Sequence, residues 1–139
     1  MTDNFSSKYE RYTFMAEDGV SYAQNVLGLM YEQGIEVPKD LKSAFKWYEL
    51  AMKQGLAKAQ FNLALCYKYA KGCEVDYDKA LELFTKASLQ NHNRSFFHLG
   101  DMYERGIGVE KSRTEAKKQY ENSARNGYQP AYLKLQELL

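Results

Sequence analysis

The sequence predicts an all-α protein, a right-handed α/α solenoid (superhelix) of antiparallel helix hairpins, and three observations carry that expectation. Small and apolar residues recur every 36 positions; within each period they advance in steps of four; and residues that interrupt helices punctuate each period twice.

The period holds in many columns at once. Ala23 recurs as Ala59, Ser95 and Ala131, and Leu27 as Leu63, Leu99 and Leu135. Gly28, Ala64 and Gly100 are all small, and Tyr31 returns as Tyr67 and Tyr103. Further along each unit stand Ala44, Ala80 and Ala116, then Tyr48, Phe84 and Tyr120, then Ala51, Ala87 and Ser123. The steps Ala23, Leu27, Tyr31 and Ala44, Tyr48, Met52 have helical spacing, so each unit holds two helices. The small columns predict close backbone approach, and the large ones a core shared between neighbouring hairpins.

Turn chemistry separates the helices. Gly34 and Pro38, Gly72, and Gly106 with Gly108 fall between the first and second helix of successive units. Asp40, Asp76 and Ser112 then share one column as N-caps, and Ser112 with Glu115 fits a capping box. Gly55, Asn91 and Gly127 mark the turn into the next unit. In the middle unit Ala70 stands where the others have glycine, and Gly72 reads as displaced by two positions, which predicts a different loop there.

These columns divide a single domain, 1–139, into an N-terminal capping helix at 6–20, repeats at 21–56, 57–92 and 93–128, and a C-terminal half-repeat helix at 129–139. The tip of that last helix, Leu135 to Leu139, is apolar; a monomer is expected, with a homodimer through this helix as the alternative.

Bulk properties narrow the function. With 19 Lys and Arg against 18 Asp and Glu in 139 residues, the chain lacks the positive field that nucleic acid or an anionic membrane demands. Met1 to Tyr12 shows no secretory pattern, no apolar run is long enough to span a bilayer, and the expected location is cytoplasmic. Two cysteines, Cys66 and Cys73, read as one core and one loop thiol. His92 falls at a turn and His98 on a helix, neither at metal-ligand spacing, and Gly106-Ile107-Gly108 lacks the residues of a phosphate loop. No catalytic set, cofactor or metal is expected, and most of the twelve tyrosines are accounted for by repeat columns.

The stretch Ala23-Gln24-Asn25-Val26-Leu27-Gly28-Leu29-Met30-Tyr31-Glu32-Gln33-Gly34, continuing through Val37-Pro38-Lys39-Asp40, Ala44, Trp47-Tyr48, Ala51 and Gly55, closely resembles the Sel1-like repeat, a relative of the tetratricopeptide repeat. The third unit matches in Leu99-Gly100, Tyr103, Gly106 to Val109, Ala116, Tyr120 and Gly127. The resemblance implies an adaptor, scaffold or inhibitory binder of other proteins, with the first helix of each hairpin lining a concave surface. By spacing, that surface would present Tyr22, Asn25, Leu29 and Glu32; Lys58, Phe61, Leu65 and Lys68; Arg94, Phe97, Asp101 and Glu104; and Leu133. Phe61, Leu65 and Phe97 would be apolar anchors among Lys58, Lys68 and Arg94, suiting a peptide with acidic and apolar side chains. The same aromatics serve equally well as packing between adjacent first helices. Two other readings stand beside the adaptor: an immunity or antitoxin protein that neutralises one toxin, and an enzyme whose site the sequence does not display.

Overall fold

The computed structural model describes residues 4–139; of the Met1 to Tyr12 stretch, residues 1–3 lie outside it. Among the described residues there are eight α-helices and no strand: α1 (Lys8–Glu17), α2 (Ser21–Gln33), α3 (Leu41–Lys53), α4 (Ala57–Tyr69), α5 (Tyr77–Ser88), α6 (Asn93–Arg105), α7 (Arg113–Arg125) and α8 (Gln129–Glu137). The most intimate pairs are α2 with α3, α4 with α5 and α6 with α7, three hairpins; looser contacts join each hairpin to the next, with α1 and α8 at the ends. The first member of each hairpin is termed an A helix (α2, α4, α6, with α8 in the same register) and the second a B helix (α3, α5, α7, with α1).

Local chemistry starts the B helices. The side chains of Ser7, Asp40, Asp76 and Ser112 accept the amide protons of Glu10, Ser43, Lys79 and Glu115, satisfying donors that a helix start leaves open. The capping box at Ser112 forms only in part. The Ser112 amide donates to the Tyr103 carbonyl at 2.9 Å, and Glu115 accepts from Gln119 Nε2 at 3.0 Å instead of reaching back.

The loops within the hairpins correct the expectation for the middle unit. Ala70 ends α4 in the left-handed conformation (φ 56°), as Gly34 (69°) and Gly106 (68°) end α2 and α6, so all three loops follow one path. Gly72 is not displaced: it shares a second positive-φ column with Glu36 and Gly108. A β-carbon on Gly72 would collide with the Leu41 carbonyl at the start of the preceding B helix, so only glycine fits there. Glu36 faces the later-starting α1, and its carboxylate accepts the Tyr9 amide proton at 3.2 Å.

Packing is built on aromatic rings. Tyr48, Phe84 and Tyr120 are fully buried, each contributing about 1.5–3 kcal/mol through burial. The small A-helix column makes room for those rings. A β-carbon on Gly28 would stand 2.5 Å from Tyr48 Cε1, and one on Gly100 2.7 Å from the Tyr120 ring, so the close approach is ring to backbone, not backbone to backbone.

Glutamines tie each hairpin internally and to the turn that precedes it. Gln54 Nε2 donates to the Gly19 carbonyl (2.9 Å) and to Gln24 Oε1 (3.0 Å); one period later Gln90 Nε2 does the same to the Gly55 carbonyl and Gln60 Oε1, both at 2.9 Å. Gln24 and Gln60 are buried, and these bonds compensate their lost hydration. In the third unit a bond lies within the hairpin, Ser123 Oγ of α7 donating to the Asn93 carbonyl of α6 at 2.7 Å. At the end of the stack Leu135 and Leu138 pack against the third core cluster, while Tyr132, Leu133 and Leu139 are exposed.

Candidate partner-binding groove

The A helices stand side by side and, with the turns that lead into them, line two neighbouring hollows. One, of about 270 Å³, is bounded by Asn25, Leu29, Lys58, Phe61, Asn62, His92 and Arg94. The other, of about 730 Å³, opens along the N-terminal edge of α2, α4 and α6 and shares Lys58 and His92 with the first.

At that edge the expected residues are accessible. Tyr22, Lys58 and Arg94 are exposed and occupy one column of successive repeats. The Arg94 guanidinium lies 5.3 Å from the Phe61 ring centre and 5.9 Å from that of Tyr128, within cation–π reach of both. Just inside, Asn62 Nδ2 donates to Asn25 Oδ1 at 2.9 Å, and Asn25 is buried. Leu29 and Leu65 are half-buried against the central core.

Three members of the expected surface, Asn25, Phe61 and Lys68, lie deeper than their spacing suggests. Asn25 is only 2% exposed and held by Asn62. Phe61 is only 4% exposed and packs against Phe84, His92 and His98, with centroids 5.9, 4.6 and 5.6 Å away. It forms the floor of the smaller hollow, not a protruding anchor. Lys68 is 5% exposed, its Nζ donating to Asp101 Oδ2 at 2.9 Å and to His98 Nδ1 at 3.1 Å. Buried charge survives only when paired, which explains why Lys68 turns inward. Asp101 is also 3.6 Å from Arg105.

The third unit and the end helix complete the face. Phe97 is half-buried between Tyr120 and Tyr128, at 5.4 and 5.2 Å. Glu104 accepts from Tyr120 at 3.5 Å and pairs with Lys134 of α8 at 3.3 Å. Leu133 is 60% exposed. In the first unit Tyr48 donates to Glu32 at 3.0 Å, and Lys71 reaches the same carboxylate at 3.6 Å.

Units one and three thus pair a buried Tyr with a Glu, whereas unit two pairs Phe84 with Lys68. The His98 ring stacks on Phe84 at 5.1 Å and 6°. Burial, reinforced by Lys68, pushes His98 down to about 3; burial, with Arg94 and Lys58, pushes His92 down to about 4. Both rings are therefore neutral near pH 7. With Lys68 donating to Nδ1, the His98 proton belongs on Nε2. Sequence spacing missed His92 and Asn62 as groove residues, and His98 as the ring packed against the Phe61 floor. The only available signal was a polar column, Asn62, His98 and Lys134, beside the apolar one.

Cys66 is buried, which pushes its thiol up to about 12 and removes thiolate character; Cys73 Sγ donates to the Cys66 carbonyl at 3.4 Å. No group of three or more potential metal ligands exists among the described residues, and none of their helices is long and apolar enough to cross a membrane.

A family model described as the Sel1 repeat matches residues 21–56, 57–92 and 97–128, most of the chain. The chain belongs to the Sel1 repeat family. Among solved structures, this Sel1 repeat chain is similar to c5321, described as a protective antigen present in uropathogenic Escherichia coli strains. The TM-score is 0.89 at 34% identity, over 94% of this chain and 28% of that one. It is also similar to a Sel1 repeat protein from Oxalobacter formigenes, at TM-score 0.82 and 33% identity, over 91% of this chain and 52% of that one. Helicobacter pylori cysteine rich protein B shares the fold, at TM-score 0.71 and 20% identity, over 91% and 96% of the two chains. The chain thus spans about a quarter and about half of the first two neighbours. A search of curated proteins returns no match.

Proposed function

We propose that this Sel1 repeat chain is a non-catalytic adaptor or regulator that holds a partner polypeptide along its A-helix face. Sel1 repeat proteins are in general protein-interaction modules. The observation that supports this face is a pair of neighbouring hollows: one of about 270 Å³ lined chiefly by A-helix side chains, and one of about 730 Å³ lined by the turns that lead into α4 and α6 together with the first residues of α2, α4 and α6. The exposed Tyr22 and the half-buried Leu29, which packs against the core from the groove side, stand among polar residues there, the mixed character of a peptide groove.

Photo-cross-linking in the native cell tests the face. A photoreactive residue at Tyr22 or Asn62 should trap a polypeptide, whereas one at Lys86 or Glu121, on the B helices, should not. Cross-links from the B-helix positions alone would overturn the assignment.

A further inference from the structure

We propose that the partner lays an acidic segment along the N-terminal edge of the A helices, with carboxylates at Lys58 and Arg94 and apolar side chains between them. This proposal rests on the A-helix face being the binding face.

Charge bookkeeping across that face carries it. Lys68, Lys71, Arg105 and Lys134 each lie 2.9–3.6 Å from a carboxylate of the same chain. Lys58 and Arg94 have no ion-pair partner among the described residues. Both stand in the first turn of an A helix, where a cation opposes the helix dipole. Nothing in the fold offsets that arrangement: Leu56 and His92, the residues before α4 and α6, provide no side-chain cap, and neither first turn carries an acidic residue. The preceding A helix, α2, is built the same way, whereas all four B helices are capped by a side chain. The unfilled amides and the two cations therefore add their positive potentials at one edge, over the hollows. His92, between them, is held neutral in part by those same charges.

Shape selects a polypeptide. The two cations belong to one column of adjacent repeats, so they recur at the spacing of neighbouring A helices, with the Phe61 floor and Leu29 alongside. An acidic chain with interspersed apolar residues matches both features. Nucleic acid does not: the face holds two isolated cations in a molecule of net charge +1, not a basic track.

The test is selection of a random dodecapeptide phage library on the full chain, followed by binding of the selected peptides by fluorescence polarisation. The wild type should enrich Asp and Glu. The double variant Lys58→Glu, Arg94→Glu should lose affinity for those peptides by about tenfold or more and, in its own selection, enrich Lys and Arg. If that variant melts early, Lys58→Gln, Arg94→Gln replaces it, with the loss of acidic preference as the readout. Peptides without acidic enrichment, cross-linked to Tyr22 or Asn62, would overturn the proposal and leave the groove standing. Peptides cross-linked only to the B helices would overturn both. A single-stranded oligonucleotide whose binding depends on Lys58 and Arg94, with acidic peptides inert, would overturn the polypeptide assignment.

Discussion

The C-terminal half of the A-helix face and its N-terminal edge treat charge in opposite ways. In the former, Lys68 is closed off under Asp101 and His98, and Glu32 and Glu104 are each engaged by a tyrosine and a lysine. In the latter, Lys58 and Arg94 project from helix starts that no acid neutralises. The first arrangement consolidates the stack across repeats. The second has no carboxylate partner in the fold, only the Phe61 and Tyr128 rings beside Arg94, and its potential remains open to an external partner.

The largest test of this contrast removes the buried cation. Lys68→Met leaves Asp101 with Arg105 as its remaining partner and should destabilise the chain by about 2–3 kcal/mol, read from the urea midpoint. A loss under about 0.5 kcal/mol would erase the distinction between the two regions.

Acid should act through the histidines. Because the folded pKa of His98 is about 3 against an ordinary 6.5, the unfolded chain takes up the proton first. Stability is therefore full above pH 6.5 and falls as pH drops toward 3, by up to about 1.4 kcal/mol per pH unit from this group; His92 adds to the fall between 6.5 and about 4. Denaturation series at several pH values should show a shallower decline for His98→Gln than for the parent.

Tyrosine substitutions sharpen the comparison within the consolidated half. Tyr48→Phe, which loses a 3.0 Å bond to Glu32, should cost about 1 kcal/mol; Tyr120→Phe, at 3.5 Å from Glu104, should cost about 0.5 kcal/mol or less. Thermal melts resolve the order, and the reverse order would contradict the geometry. Smallest of all, Lys58→Ala and Arg94→Ala should each change stability by no more than about 0.5 kcal/mol in the same melts.

Much of the fold was legible because its signals are local. A cap such as Asp40 acts on an amide three residues away, and the 36-residue register needs only a count along the chain. The misread features involve partners from other helices. Gly72 keeps the 36-residue register of Gly108, which a count along the chain shows; what the chain does not show is the Leu41 carbonyl of the previous hairpin, which excludes a β-carbon there. Gly28 serves the Tyr48 ring, and Phe61 and Lys68 look like surface residues until α5 and α6 close over them.

The period, the helix hairpins and the starts of the B helices follow from local chemistry, since backbone hydrogen bonding and side-chain spacing act within a few residues. Which charges are consumed in pairs and which stay free emerges on packing. Lys68 meets Asp101 across 33 residues and Lys134 meets Glu104 across 30, and burial sets what an ion pair is worth. Neither the meeting nor the burial exists until the helices pack.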